Sequence, residues 1–241
     1  MSQDQPSSPS NPSRREWEDL LPGVLLWRRA PRLHLTLEAL ILFVVVPVAL
    51  YFGRQEFATM IIPTLLVMGL GCGLALALDP RFDRRRLWNA RDFGRRLAAT
   101  LKVFVPLAIL TTLVTALWMP QRFLAFPASN PTLWLFVMVA YPVVSVYPQE
   151  LIFRSFFFHR YRAILPTSRL QILASGLAFG LAHLFFGNWI APLLTTAGGV
   201  LFARTYARTD STLQASIEHA LWGDLLFTVG LGWYFYGGSI S

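Results

Sequence analysis

Long apolar runs separated by short arginine-rich segments make up most of this chain of 241 residues. A helix needs about 20 mostly apolar residues to cross a bilayer, and seven stretches reach or approach that length. The pattern predicts an all-α polytopic membrane protein, a helical bundle of about seven transmembrane helices. The predicted spans are approximately 33–52, 57–78, 97–118, 132–158, 170–186, 190–206 and 213–236.

The composition supports a chain that lies almost entirely in the membrane. Hydrophobic residues make up 54% and charged residues only 14%, where a soluble domain carries about 25% charged residues. The net charge of +8 comes from arginines between the apolar runs, so it indicates contact with a lipid bilayer and no nucleic-acid partner. Cys72 is the only cysteine, which excludes an intramolecular disulfide.

The chain divides into a tail, a first membrane region and a second membrane region. Residues 1–32 begin with a run rich in Ser, Pro and Asn, which predicts a disordered or interfacial tail and no cleaved signal peptide. Residues 33–130 hold three predicted spans, and 131–241 hold four. Cytoplasmic loops are enriched in Lys and Arg. A cytoplasmic N-terminus places 18 of the 21 basic residues inside and two outside, which predicts a multi-pass protein of the inner membrane.

Four ionisable residues stand inside apolar runs of the second region. Glu150 and Arg154 are four residues apart, a spacing that places both on one face of a helix. His183 and His219 each lie in a separate apolar run further along the chain. Ionisable residues at membrane depth are expensive and mark functional sites. The alternative is an ion pair that pins two helices without any chemistry.

The catalytic or binding role of each of these residues depends on which of the others its side chain contacts. Glu150 is a candidate general base whose protonation Arg154 tunes. His183 is able to bind a metal, to hold a water molecule or to stabilise an oxyanion. Asp224 comes five residues after His219 and would share its face only if a π-bulge occurred at Gly223. The neighbouring glutamate at position 218 is either a further carboxylate of the site or, as we expect, a side chain that reaches the cytoplasmic interface.

At three motifs the sequence resembles the CPBP family of intramembrane proteases, which includes CAAX-processing, bacteriocin-processing and Rce1-like prenyl-protein endopeptidases. The family has Glu-Glu-x-x-x-Arg, then Phe-x-x-x-His, then His-x-x-x-Asn/Asp, each on its own membrane helix. The matching stretches are Gln149-Glu-Leu-Ile-Phe-Arg154, Phe179-Gly-Leu-Ala-His183 and His219-Ala-Leu-Trp-Gly223. The resemblance covers roughly residues 133–235. It departs from the family at Gln149, where the family has its first glutamate, and at Gly223, where it has Asn or Asp.

The resemblance implies an endopeptidase that acts inside the membrane. Glu150 and His183 would activate a water molecule, and His219, with Asp224, would stabilise the oxyanion. The substrate would be the terminal region of a membrane-anchored or lipidated protein, or a peptide precursor. The resemblance leaves open a metal-free glutamate protease and an enzyme with a divalent metal such as Zn²⁺ on Glu150, His183 and His219.

Two other functions stay open at this point. The glutamine and the glycine at motif positions 149 and 223 suit a catalytically inactive membrane scaffold or immunity protein that kept the fold. Buried Glu, Arg and His side chains also suit a proton-coupled transporter, although the chain has no internal repeat of the kind common in transporters.

Overall fold

The computed structural model describes residues 30–235, and the regular elements in this part of the chain are all helical. The prediction of an all-α chain is therefore confirmed for these residues. The tail up to residue 29 and the end of the last predicted span lie outside them. In chain order the helices are α1 (Arg32–Phe52), α2 (Arg54–Leu78), α3 (Phe93–Trp118), α4 (Ala125–Ser129), α5 (Pro131–Arg160), α6 (Ser168–Phe186), α7 (Ile190–Thr209) and α8 (Thr212–Val229).

Five of these helices, α1, α2, α3, α5 and α6, are long and apolar enough to cross a membrane. The helix α8 carries Glu218, His219 and Asp224, and eight of its residues, Glu218 and His219 among them, are buried. The helix α7 contains two glycines, four threonines and two arginines, which lower its hydropathy. Spans at α7 and α8, the division of the chain at residue 130 and a cytoplasmic N-terminus stay predictions.

Helix ends gather at two opposite faces of the bundle. At the arginine-rich face, which holds the 79–92 segment, Asn89 and Arg96 donate hydrogen bonds to the carbonyl oxygen of Thr209 at the end of α7. At the other face, Arg122 lies 4.0 Å from the ring of Trp233, and Asn188 donates to the carbonyl oxygen of Tyr234 at 2.9 Å. Consecutive long helices therefore run in alternating directions.

The arginine-rich face also links α2 to α5 through Asp79 and His159, whose Oδ2 and Nε2 atoms are 2.8 Å apart. Burial raises the pKa of Asp79, but the hydrogen bonds from His159 and from the backbone N–H of Arg81 outweigh burial and hold that pKa below its ordinary value. The carboxylate of Asp79 therefore stays ionised at neutral pH and keeps the two helix ends together.

Replacing Glu38 by glutamine should destabilise the junction between α1 and α5. Glu38 accepts hydrogen bonds from Nε and Nη2 of Arg160 at 2.9 and 2.6 Å and from the Tyr161 hydroxyl at 3.0 Å. Hydrogen bonds to charged groups contribute about 1.5 to 3 kcal/mol, so the thermal unfolding midpoint should fall clearly. The exposed Glu56→Gln variant in the same detergent is the matched control, and equal midpoints for the two variants would contradict the prediction.

Aromatic side chains also join α1 to α5, next to the contact between Glu38 and Arg160. The ring of Phe43 lies edge-to-face against Phe153, Phe157 and Tyr161, with centroid distances of 5.7, 5.0 and 5.8 Å. Such pairs contribute about 0.5 to 1.5 kcal/mol beyond the area that they bury. The phenylalanines of α5 that follow Ile152 are thus buried in helix packing and do not face lipid.

Glycines let α6 and α7 approach closely. A Cβ atom added to Gly199 on α7 would lie 3.1 Å from Cα of Gly176 on α6 and 3.1 Å from the ring of Phe179. Small residues at helix crossings allow the backbones to touch and are typical of membrane helix packing. This close crossing fixes the position of Phe179 against α7.

The helix α5 is interrupted by two π-helical segments, Pro142–Val146 and Leu151–Phe156. Between them, the backbone of α2 at Gly69 comes so close that an added Cβ would lie 2.8 Å from Cβ of Pro148. Prolines cannot donate a helical hydrogen bond, and π segments occur often at functional sites. The irregular part of α5 is held between α2, α6 and α8.

Candidate active site

Glu150 and Arg154 form an ion pair in the centre of α5. Both side chains are fully buried, and Arg154 Nε lies 3.2 Å from Glu150 Oε2. The predicted pairing is therefore present, although the segment between the two residues is π-helical. A buried charge needs a partner of opposite sign, and each of these residues supplies it for the other.

Arg154 also connects α5 to the neighbouring helices. Its Nη1 atom donates to the hydroxyl of Ser175 on α6 at 3.0 Å, and Ser175 in turn donates to the carbonyl oxygen of Phe153 at 2.6 Å. The guanidinium carbon lies 4.9 Å from the ring centre of Phe179 and 5.8 Å from that of Phe202. Hydrogen bonds and cation–π contacts together orient the guanidinium toward Glu150.

His219 on α8 bridges Glu150 to a tyrosine. Its Nδ1 atom lies 2.9 Å from Glu150 Oε1, and its Nε2 atom lies 3.1 Å from the hydroxyl of Tyr141. The imidazole stacks on Phe202 with ring centres 4.6 Å apart. Because an ionised carboxylate only accepts hydrogen bonds, Nδ1 carries a proton. Glu150, His219 and Tyr141 therefore form a continuous chain from α5 to α8 and back.

His183 begins the 3₁₀ turn at the end of α6. Its Nδ1 atom lies 2.7 Å from the carbonyl oxygen of Phe179. A carbonyl oxygen only accepts a hydrogen bond, so the proton is on Nδ1. The Nε2 atom of the neutral imidazole then has a free lone pair, which suits it to accept a proton.

The ring of Phe179 is the common neighbour of the predicted site residues. Its centre lies 4.6 Å from the ring of His183 and 5.3 Å from the ring of His219, in addition to its contact with Arg154. Glu150 reaches this group through Arg154 and His219. The structure thus brings four of the five predicted residues together, with Glu150 hydrogen-bonded to His219 and not to His183.

Asp224 does not join this group by the predicted route. The helix α8 is regular from Thr212 to Val229, so the π-bulge at Gly223 that Asp224 would need is absent, and Asp224 makes no hydrogen bond to His219. Its Oδ1 atom is buried without a hydrogen-bond partner. The place that a side chain at position 223 would take is filled by the ring of Tyr141.

Tyr141 was not predicted from the sequence. It lies in an apolar stretch, outside the three motifs. The signal that points to it is the glycine at position 223, because a missing side chain inside a packed bundle must be replaced by another group.

Two further residues near the site have contacts or burial that the sequence does not predict. Gln149 donates its amide to the carbonyl oxygen of Ser145 at 3.1 Å and to the Ser145 hydroxyl at 2.8 Å, so it is used within its own helix. Glu218 was expected to reach the cytoplasmic interface, but it is only 4% exposed. The interpretation of Glu218 was wrong, since α8 is enclosed by its neighbours on that side.

The donor set does not fit a zinc site built from Glu150, His183 and His219. Among residues 30–235, no three or more His, Cys, Asp or Glu side chains are arranged to hold a metal ion. Both oxygens of Glu150 face protein groups, and one of them faces the cation of Arg154. A bound metal therefore remains an expectation that comes only from the family resemblance.

Comparison with known proteins shows that the region holding these residues is similar to a known family. Residues 128–223 match a family model described as Rce1-like, type II CAAX prenyl endopeptidase Rce1-like. Searches among curated proteins and among solved structures found no match. The matched region begins just before α5 and ends at Gly223, so it contains the ion pair, His183 and His219. This match confirms the resemblance to the CPBP family over this part of the chain.

Proposed function

We propose that this chain is an intramembrane endopeptidase that cleaves near the terminus of a membrane-anchored or lipidated protein or peptide precursor. The observation that carries the proposal is the buried hydrogen bond between Glu150 and His219 within an Rce1-like domain. A buried carboxylate that holds an imidazole in one tautomer is a device of acyl-transfer enzymes. The class of substrate rests on the family match.

His183 is the proposed general base. Its Nε2 atom takes a proton from a water molecule while the water oxygen attacks the substrate carbonyl carbon. The C–N bond of the tetrahedral intermediate then breaks, and His183 returns the proton to the leaving amine. This assignment is supported by the free Nε2 atom of His183, whereas Oε1 of Glu150 is hydrogen-bonded to His219 and Oε2 lies 3.2 Å from Arg154 Nε. That Glu150 itself takes the proton stays a prediction.

Glu150 acts through His219 in this proposal. Its Oε1 atom lies 2.9 Å from Nδ1 of His219, so the imidazole is held in place before the oxyanion develops. Preorganised electrostatic stabilisation of this kind is commonly the largest contribution to acyl-transfer catalysis. Arg154 holds Glu150 in place through the ion pair and through Ser175.

The distribution of basic residues supports an inner-membrane protein whose N-terminus is cytoplasmic. The arginine-rich ends of α1, α2, α3, α5, α6 and α7 are drawn to one face, while Arg54 and Arg122 lie at the other. Cytoplasmic faces carry this excess of basic residues. A substrate tethered in the same bilayer would reach the site by lateral diffusion.

The His183→Ala variant tests the proposal. The purified chain in proteoliposomes is mixed with quenched fluorescent peptides that end in a lipidated cysteine and with the same peptides lacking the lipid. Wild type should cleave the lipidated peptides faster, and His183→Ala should lower kcat by about 100-fold, the range that a general base contributes. His34→Ala is the matched control, because His34 is 62% exposed at the start of α1.

Equal cleavage by wild type and His183→Ala would contradict the role of His183. No cleavage by wild type of any peptide in a broad set, with or without lipid, would contradict the endopeptidase.

A non-catalytic membrane scaffold is the second candidate, and the contacts of Gln149 favour it. Glutamine cannot take a proton from water, and its amide is tied to Ser145. A scaffold would be recovered as a stable complex with a membrane partner, and His183→Ala would leave that complex intact.

A further inference from the structure

The ring of Tyr141 fills the space beside Gly223. A Cβ atom built on Gly223 would overlap the Tyr141 ring, with the phenolic carbon Cζ only 2.6 Å away. The glycine and the tyrosine therefore form a complementary pair across α8 and α5. The pair places a phenol hydroxyl one helical turn from His219, at the position where the family motif has an Asn or Asp side chain.

The tyrosine is held firmly in this place. Its hydroxyl lies 3.1 Å from His219 Nε2, and its ring packs edge-to-face on Phe227 with a centroid distance of 5.2 Å. Two turns away, Trp134 on α5 donates its indole N–H to Thr228 on α8 at 3.1 Å. The two bridges fix α5 against α8, so the hydroxyl is positioned before any substrate arrives.

The positions of the protons on Glu150, His219 and Tyr141 identify the Tyr141 hydroxyl as a hydrogen-bond donor. Nδ1 of His219 always donates to Glu150. When His219 is neutral, its Nε2 atom has only a lone pair and accepts from the Tyr141 hydroxyl. When His219 is charged, Nε2 donates to the Tyr141 oxygen, and the Tyr141 hydroxyl is free to donate its hydrogen bond to another acceptor. In that charged state the Tyr141 hydroxyl, and not the imidazole, is able to donate a hydrogen bond to a group other than these three side chains.

We propose that Tyr141 supplies the hydrogen bond that stabilises the tetrahedral oxyanion, in place of the side chain missing at Gly223. This inference rests on the proposed endopeptidase function. As water attacks the carbonyl carbon, the π electrons move to the carbonyl oxygen, which accepts the hydrogen bond from the Tyr141 hydroxyl. The proton of water goes to His183, and the tyrosine keeps its own proton throughout.

Glu150 and His219 are positioning residues for Tyr141 in this arrangement. The carboxylate holds the imidazole through Nδ1, and the imidazole holds the Tyr141 hydroxyl through Nε2. A donor prearranged in a dry site costs no reorganisation at the moment of reaction.

The Tyr141→Phe variant is the central test, because phenylalanine keeps the ring packing and loses only the hydroxyl. In the proteoliposome assay, kcat should fall by about 100-fold or more, as for other single oxyanion donors, while KM and the unfolding midpoint change little. Tyr147→Phe is the matched control on the same helix, since the Tyr147 ring stacks on Trp88 at 4.7 Å and phenylalanine preserves that contact.

A swap of the two side chains gives an independent readout. Gly223→Asn alone should fold poorly because it collides with Tyr141. Tyr141→Ala with Gly223→Asn should cleave faster than Tyr141→Ala alone, because the amide N–H₂ restores a donor near His219. Failure of the double variant to exceed Tyr141→Ala would count against the swap and against an oxyanion site at this place.

The outcomes separate the two proposals. Cleavage by wild type and by Tyr141→Phe at the same kcat would overturn the role of Tyr141 and leave the endopeptidase intact. Absence of cleavage by wild type would overturn the endopeptidase, and the role of Tyr141 would fall with it.

Discussion

Arg154→Gln is expected to destabilise the folded chain by about 3 to 5 kcal/mol, the cost of leaving one member of a buried ion pair without its partner. Glu150 would then be a fully buried carboxylate with no adjacent cation, and the hydroxyl of Ser175 would lose its donor from Arg154. The unfolding midpoint in detergent and the yield of monodisperse protein should both drop sharply. Cleavage should also be lost, because His219 depends on the position of Glu150.

An exposed pair in the same chain is the control. Arg95 lies 2.7 Å from Asp92, with its side chain 79% exposed, and exposed pairs contribute about 0 to 1 kcal/mol. Arg95→Gln should therefore leave the midpoint almost unchanged. Replacing Glu150 and Arg154 together by leucine should restore much of the stability without activity, since apolar residues often replace a buried pair at little cost. Equal midpoints for Arg154→Gln and Arg95→Gln would refute this account.

Gly199→Leu is expected to produce the second large effect by separating α7 from α6. The added side chain would meet the backbone of Gly176, with Cα at 3.1 Å and the carbonyl oxygen at 3.2 Å, and backbone atoms cannot rotate away. Overpacking of this kind costs about 1 to 3 kcal/mol or more. The displaced Phe179 contacts Arg154, His183 and His219, so cleavage should be lost together with stability.

Gly71→Leu is the control for this substitution. A Cβ atom on Gly71 of α2 meets nothing within 4 Å, so leucine there should be tolerated by the fold and by the activity. If Gly199→Leu keeps the midpoint and the kcat of Gly71→Leu, the close crossing of α6 and α7 does not position the site.

Much of the candidate site was predictable because an ionisable side chain inside an apolar membrane helix costs free energy. An ionisable residue in an apolar helix has few explanations, so Glu150, Arg154, His183 and His219 could be selected without a structure. Spacing of four residues predicted the ion pair on α5. The helical class followed from the length of the apolar runs, although the lower hydropathy of α7 and α8 leaves the number of spans a prediction.

The choice of partners was not predictable from spacing. Glu150 bonds to His219, whereas His183 bonds to the carbonyl oxygen of Phe179, and this choice depends on how α6 and α8 pack on α5. Tyr141 carries no charge and stands among apolar residues, so nothing in its own neighbourhood marks it. Glu218 was placed wrongly because its exposure depends on which helices enclose α8, a long-range property that composition does not contain.

The π-helical segment Pro142–Val146 determines whether Tyr141 and Glu150 can serve the same imidazole. They are nine positions apart along the chain, and at about 100° per residue a regular α-helix would turn them to opposite sides. Both nevertheless contact His219, because the intervening segment closes its hydrogen bonds one residue further along. The number of residues between the tyrosine and the glutamate is therefore as important to the site as their identity. Related chains with one residue fewer in this interval would keep every motif and lose the alignment of the two groups.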